Sequence, residues 1–141
     1  MAKLMLSCPQ CHAWNRVDAE RAAQGPKCGK CAAALPLGAP WKLDDATFAR
    51  TVAGCEVPVL VDFYADWCGP CKMMAPHVAT LAQETVGRAL VAKLDTDASP
   101  AAAAPFQIRG IPTTIVFRGG REVGRQVGAV GLVELRALLG A

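Results

Sequence analysis

The run Trp67-Cys68-Gly69-Pro70-Cys71-Lys72 comes one residue after an apolar stretch, Val57-Pro58-Val59-Leu60-Val61-Asp62-Phe63-Tyr64-Ala65. The stretch reads as a central strand covered on both faces. The segment from Gly69 to about Val86 reads as a helix, with Met74, Val78, Leu81 and Thr85 at spacings of three and four. Two cysteines separated by two residues can close a small disulfide. At a strand-to-helix junction the first thiol stands at a helix N-terminus, where the partial positive charge of the peptide dipoles favours thiolate over thiol. Thiolate is the nucleophile of thiol–disulfide exchange, so the pair reads as reactive rather than as a staple. Gly69 and Pro70 keep the turn tight, and Pro70 lacks an N–H where the helix start needs none.

The rest of the C-terminal hundred residues fits around that junction. Asp44 or Asp45 can cap a helix that includes Phe48 and Val52 and ends at Gly54. Pro76 falls inside the long helix and is expected to kink it. Leu90–Leu94 reads as a strand and Ser99–Ala104 as a short helix with Pro100 at its first position. Thr113–Phe117 and Glu122–Val127 read as strands joined through Arg118-Gly119-Gly120-Arg121, and 132–139 as a closing amphipathic helix. This order predicts an α/β fold: a central mixed sheet with helices on both faces.

The N-terminal part has a different character. Cys8-Pro9-Gln10-Cys11 and Cys28-Gly29-Lys30-Cys31 are separated by sixteen residues, a spacing that reads as a zinc site. Four thiolates make a closed tetrahedral structural site with no open position. A segment of about thirty residues with few large apolar groups needs such a staple to fold. We therefore expect a small zinc-ribbon-like module over 1–33, a linker over 34–41 and a second domain over 42–141; Pro36 and Pro40 should keep the linker extended. The net charge of +3 arises in the module, where Lys3, Arg16, Arg21, Lys27 and Lys30 face Asp18 and Glu20; the remainder carries ten of each sign. Four thiolates and one zinc ion would reduce that excess to about +1. Weak charge and a single aromatic there, Trp14, argue against nucleic acid.

WCGPCK, the upstream VDFYADW and the downstream IRGIPTTIVFRGG together resemble the thioredoxin family. With the paired C-x-x-C motifs ahead of them, the chain resembles the bacterial thioredoxin-2 type. The resemblance implies a thioredoxin fold and a protein-disulfide reductase, re-reduced by an NADPH-dependent thioredoxin reductase. It makes Cys68 the attacking thiol and Cys71 the resolving one, and we expect Cys68 exposed and Cys71 less accessible. It implies that Asp62 takes the proton of Cys71 through water and that Lys93 is its buried partner. Desolvation inside an apolar strand would raise the carboxyl's pKa toward neutrality. It further implies a client-binding rim from Trp67, Gly69, Pro70, Gly110, Ile111, Pro112 and Gly128. X-Pro bonds are seldom cis, so the residues alone predict trans at Pro112; the resemblance implies cis. Tyr64 stands where many relatives have tryptophan.

Bland readings accompany these. Asp62 can be an edge carboxylate, Lys93 a surface lysine and Trp67 a core residue. Cys55 and His77 read as packing residues, and His12 as a weak substitute metal ligand. No apolar run approaches the ~18 residues of a membrane span, and Leu4-Met5-Leu6 is too short for the apolar region of a signal peptide. Seven cysteines in such a chain point to a reducing compartment, the cytoplasm by default. A monomer with no organic cofactor is expected. No phosphate loop, H-E-x-x-H or serine elbow is present. A thioredoxin-fold adaptor or chaperone, or a sensor whose output is zinc loss, are the alternatives.

Overall fold

The computed structural model describes residues 2–140. Strands β1 (Lys3–Ser7) and β2 (Trp14–Asp18) form an antiparallel hairpin, followed by a 3₁₀ turn over Ala19–Gln24. Next come β3 (Trp41–Leu43), α1 (Phe48–Gly54), β4 (Val59–Tyr64), α2 (Gly69–Glu84), β5 (Leu90–Asp95), α3 (Pro100–Ala103), β6 (Thr113–Arg118), β7 (Arg121–Val127) and α4 (Leu132–Leu139). The main sheet runs β3-β5-β4-β6-β7, with β3, β5 and β4 parallel and β6 and β7 antiparallel.

Strand β4 occupies the centre, and its side chains alternate between two cores. Val59, Val61 and Phe63 point to the side of α1, where Phe48, Phe63, Phe106 and Phe117 pack with ring centroids 5.3–6.1 Å apart. Leu60 points to the opposite side, against Met74, Val78 and Leu81 of α2 and Leu135 and Leu139 of α4. By the same alternation Asp62 and Tyr64 face α2. The β6–β7 turn is tight because both of its central residues, Gly119 (φ 59°) and Gly120 (φ 80°), take the positive φ that a type I′ turn demands.

Some local expectations shift. Helix α1 starts after Thr47, because the Asp44 carboxylate instead accepts the N–H groups of Ala46 and Thr47 in the preceding turn. Asp45 reaches across to accept the Ala102 N–H at 2.7 Å. Pro76 sits inside α2 without ending it. Sequence reasoning missed the strands β1, β2 and β3.

The N-terminal hairpin is not a detached bead. Leu4, Leu6 and Val17 belong to the same buried cluster as Phe48, Val52 and Phe63. Segment 34–41 is anchored as well: Leu35, Leu37 and Trp41 are buried in that cluster. Polar ties flank the seam, with the Lys3 N–H donating to Glu56 Oε1 at 2.8 Å and the Glu56 N–H to the Lys3 carbonyl at 2.8 Å. At Gly54 the approach is close, for a Cβ there would lie 2.8 Å from the Met5 Cβ.

Gly54→Ala tests this seam. In an open helix the change would gain about 1 kcal/mol; here overpacking should outweigh that and cost about 1–3 kcal/mol. The expected result is a lower urea midpoint and faster proteolysis within 2–33. An unchanged or raised midpoint would refute tight docking.

Candidate functional site

The dithiol sits where burial of β4 delivers it. The chain leaves the sheet at Tyr64, and Cys68 becomes the N-cap of the sixteen-residue helix α2, with Gly69 and Pro70 in its first turn. The Cys71 N–H donates to Cys68 Sγ at 3.2 Å. That bond and the helix dipole both favour a charged sulfur at position 68. Cys68 and Cys71 are joined by a disulfide, with Cα atoms 5.3 Å apart. The expected contrast in exposure is absent: each cysteine is only 3% exposed. What separates them is the space each borders. Cys68 lines an open groove of about 720 Å³ with Trp67, Gly69, Pro70, Gly110 and Ile111. Cys71 lines a separate, smaller pocket of about 130 Å³, partly open to solvent, with Asp62, Tyr64, Asp66, Lys72 and Lys93.

Across the groove, the Ile111 carbonyl oxygen lies 3.7 Å from Cys68 Sγ, and the Ile111–Pro112 peptide is cis. The Gly128 N–H donates to the Pro112 carbonyl at 2.8 Å, which joins the end of β7 to the start of β6 beside the dithiol. Trp67 is 71% exposed rather than in the core. Its indole N–H donates to Asp97 Oδ2 at 2.7 Å, which orients the ring at the rim. Sequence reasoning missed Asp97, because thirty residues separate the partners and no motif marks the pair. It also missed the far wall of the groove, formed by Pro100, Ala103, Gln107, Ile108 and Arg109.

Behind the dithiol, Asp62 is buried at 5% exposure, and its Oδ1 has no hydrogen-bond partner. Desolvation pushes its carboxyl up to about 7, opposed by attraction to Lys93. Lys93 is half-buried, directly opposite Asp62 in the β4–β5 register. The cavity is large enough for water, which needs roughly 10–15 Å³ of such volume and polar partners. A carboxyl that titrates near neutrality thus shares a water-sized space with the inner sulfur.

At the other end of the chain, the sulfurs of Cys8, Cys11, Cys28 and Cys31 all lie within 4.8 Å of one another. Cys8–Cys31 and Cys11–Cys28 are each 3.6 Å apart. Tetrahedral zinc with Zn–S bonds of about 2.3 Å requires sulfur–sulfur edges of about 3.8 Å, so this donor set fits the metal. His12 is not part of the close group. The Asn15 side-chain amide and the Lys30 N–H each donate to Cys28 Sγ at 3.4 Å. Asn15, followed by the N–H groups of Cys31 and Lys30, draws the Cys28 thiol down to about 6. Asn15 is a supporting residue that the C-x-x-C spacing could not reveal. Cys55 is a different case. Buried against Met5, whose N–H points at its sulfur at 3.4 Å, its thiol is pushed up by desolvation. It is inert by that measure.

The burial of Asp62 has a sign that can be measured. Its folded pKa of about 7 lies above the ordinary value of 3.8. The native state therefore holds a proton that the unfolded chain has lost, and stability falls as pH rises from about 4 through 7. Fully expressed, that gap corresponds to on the order of 4 kcal/mol at 1.36 kcal/mol per pH unit. Asp62→Asn should stabilise the oxidised protein at pH 8 by a sizeable part of this and much less at pH 4, as read by urea unfolding at each pH. Equal effects at the two pH values would sink the assignment.

Comparison with known proteins agrees with this geometry. Residues 39–141 match the family described as Thioredoxin, and residues 7–33 the one described as Thioredoxin 2, N-terminal. Thioredoxin C-3 of Corynebacterium nephridii is 40% identical over 136 residues, covering 96% of this chain and 93% of the relative. A thioredoxin of Mycobacterium tuberculosis (strain ATCC 25618 / H37Rv) is 50% identical over 94 residues, covering 67% of this chain and 81% of the relative. The solved structure of a point mutant of thioredoxin from Halobacterium salinarum NRC-1 superposes with a TM-score of 0.67 at 37% identity, covering 74% of this chain and 91% of that one. With a dithiol at the head of α2 and a four-cysteine ribbon ahead of it, the chain belongs to the thioredoxin family of thiol–disulfide oxidoreductases.

Proposed function

We propose that Cys68 attacks client disulfides and Cys71 resolves the mixed disulfide, with Asp62 as proton acceptor and Lys93 as its charged neighbour. The observation that carries this reading is the Cys71 N–H aimed at Cys68 Sγ at the head of α2. The Cys68 thiolate attacks one client sulfur, and the other client sulfur leaves as a thiolate. Asp62 takes the Cys71 proton through water in the shared cavity. The new Cys71 thiolate attacks Cys68 Sγ, expels the second client sulfur as a thiolate and closes the Cys68–Cys71 disulfide. Two electrons pass from the dithiol to the client, and both client thiolates take protons from solvent. An NADPH-dependent thioredoxin reductase returns the electrons. The rim of Trp67, Gly69, Pro70, Gly110, Ile111, Pro112 and Gly128 receives an extended client segment.

In the module, Cys8, Cys11, Cys28 and Cys31 hold one structural zinc ion, which on binding supplies a closed cross-link and no reaction step. The chain divides into this module at 1–33, a connecting segment at 34–41 and the redox domain at 42–141. The reading places a monomer in the cytoplasm, and no helix among the described residues is long and apolar enough to cross a membrane. A nucleic-acid role gains no support from Trp14. The Arg50 guanidinium of α1 covers one face of its ring at 4.5 Å from the centroid, which takes up half of the surface on which a base could stack.

Insulin disulfide reduction with NADPH and a thioredoxin reductase tests the reaction. Wild type should turn over, Cys68→Ser should fall to background, and Cys71→Ser should accumulate a mixed disulfide through Cys68. A folded wild type without turnover would replace the reductase reading with that of an adaptor. For the metal, Asn15→Ala should leave one zinc per chain but weaken its affinity by about 10–100-fold in chelator competition. Unchanged affinity would deny Asn15 that supporting role.

A further inference from the structure

Strand alternation puts Asp62 and Tyr64 on one face of β4, and the β4–β5 register sets Lys93 opposite Asp62 on that face. The lysine has that carboxyl on one side and Lys42 of β3 in register on the other, with Asp95 two residues along on the same face and the Tyr64 ring beside it. Opposite charges facing each other across paired strands ordinarily attract. Here Asp62 Oδ1 is without a partner, and Lys93 Nζ lies over the Tyr64 ring, 5.7 Å from its centroid. The reason lies in solvation. Asp62 is 5% exposed, so meeting it would strip water from the ammonium. Tyr64 is half-buried at the end of the strand, and an ammonium on its π face keeps part of its hydration.

We propose that Tyr64 is a positioning residue for proton transfer: its ring holds the Lys93 ammonium at the edge of the pocket, leaving the Asp62 carboxyl unpaired beside Cys71. The inference rests on Asp62 as the proton acceptor. The charged and titratable groups around that carboxyl are Lys93 from β5, Cys71 and Lys72 from α2, Asp66 from the turn before α2 and the phenol of Tyr64 itself, which burial and the nearby carboxylates Asp95, Asp66 and Asp62 help to keep protonated. Strand β6 contributes Thr114, which is uncharged, opposite Asp62. Lys93 is the cation best placed to move toward Asp62 once the ring is gone. An ion pair formed there would favour the charged carboxylate, lower its proton affinity and tie up a carboxyl that is now unpaired.

The experiment tracks the Asp62 carboxyl by carbon NMR titration of the oxidised full-length protein, alongside the pH profile of insulin reduction. Tyr64→Leu, which removes the π face, should move the carboxyl titration down by about one pH unit, a tenfold change in proton binding. The acidic limb of the rate profile should move with it. Tyr64→Phe should leave both in place, because the ring face remains. In a Lys93→Met background, Tyr64→Leu should have no further effect. The proposal is overturned by an unmoved titration in Tyr64→Leu, by Tyr64→Phe shifting as far as Tyr64→Leu, or by a shift that persists without Lys93. One measurement needs no variant: the Lys93 ε-methylene protons should resonate upfield of a solvated lysine through the ring current, and their absence there overturns it equally. Asp62→Asn separates the two levels. Undiminished reduction in that variant would remove the proton-acceptor reading, while the titration and ring-current results still report on what Tyr64 does to Lys93.

Discussion

Strand β4 must be dry on both faces, and much of the rest of the molecule is arranged to satisfy that demand. Val59, Leu60, Val61 and Phe63 are all at or below 1% exposure, in the middle of five strands. One face is closed by α2 and α4, the other by α1, the phenylalanine cluster and residues of the N-terminal hairpin. A carboxyl on such a strand has lost its water whatever its neighbours, so the unusual proton affinity of Asp62 is a consequence of topology. The same strand ends at Tyr64, and the short path from there to Gly69 sets Cys68 at the head of α2. Chemistry and stability thus draw on one element with opposite sign. Burial assembles the fold while forcing Asp62 to hold a proton that an unfolded chain would release near pH 4.

The N-terminal module solves a different problem. A lone two-stranded hairpin is marginal in water, and β1–β2 has no third strand among the described residues. Two devices compensate. Four cysteines converge at one end with sulfur spacings that suit a tetrahedral ion. At the other end the apolar side chains Leu4, Leu6 and Val17 merge with the core beside α1. The seam leaves no space at Gly54 and places the Cys55 sulfur under the Met5 N–H. The seventh cysteine therefore belongs to the join, as a buried sulfur accepting a backbone hydrogen bond, and stands apart from both cysteine clusters.

Most of the redox domain was legible because its signals are local. The length of apolar β4, the helical spacing after Gly69 and the Gly119-Gly120 pair each declare an element from neighbouring residues alone. The grouping of the four N-terminal cysteines was legible for the same reason, through spacing. What escaped was relational. Asp97 meets Trp67 across thirty residues, and Asn15 reaches Cys28 across thirteen. The assumed contrast in exposure between Cys68 and Cys71 failed because helix position does not fix area: the loop around Ile111 covers Cys68 as thoroughly as the sheet covers Cys71. Segment 34–41 has the proline and small residues of a free connector, yet Leu35 and Leu37 pin it down. Two leucines in eight residues make no pattern until a cavity exists to receive them.

The chain also holds two sets of C-x-x-C sulfurs whose reactivities must differ although both meet backbone N–H groups. Hydrogen bonds to sulfur lower the thiol pKa in either setting, so acidity alone does not separate them. Nucleophilicity does, in part, because it declines as the thiolate becomes better stabilised. Cys28 accepts from both Asn15 and Lys30 within a close group of four sulfurs, whereas Cys68 accepts from Cys71 alone. Metal binding would complete the separation. In the proposed reading a tetrahedral zinc ion would hold the ribbon thiolates and keep them from a disulfide, even at Cys31, whose side chain is exposed. Cys68 instead borders an open groove of about 720 Å³, with the Ile111 carbonyl opposite it and the Trp67 ring at the rim. In that reading one sulfur motif is a fastener and the other a reagent, and the deciding variables are the ion that would hold one set and the groove in front of the other.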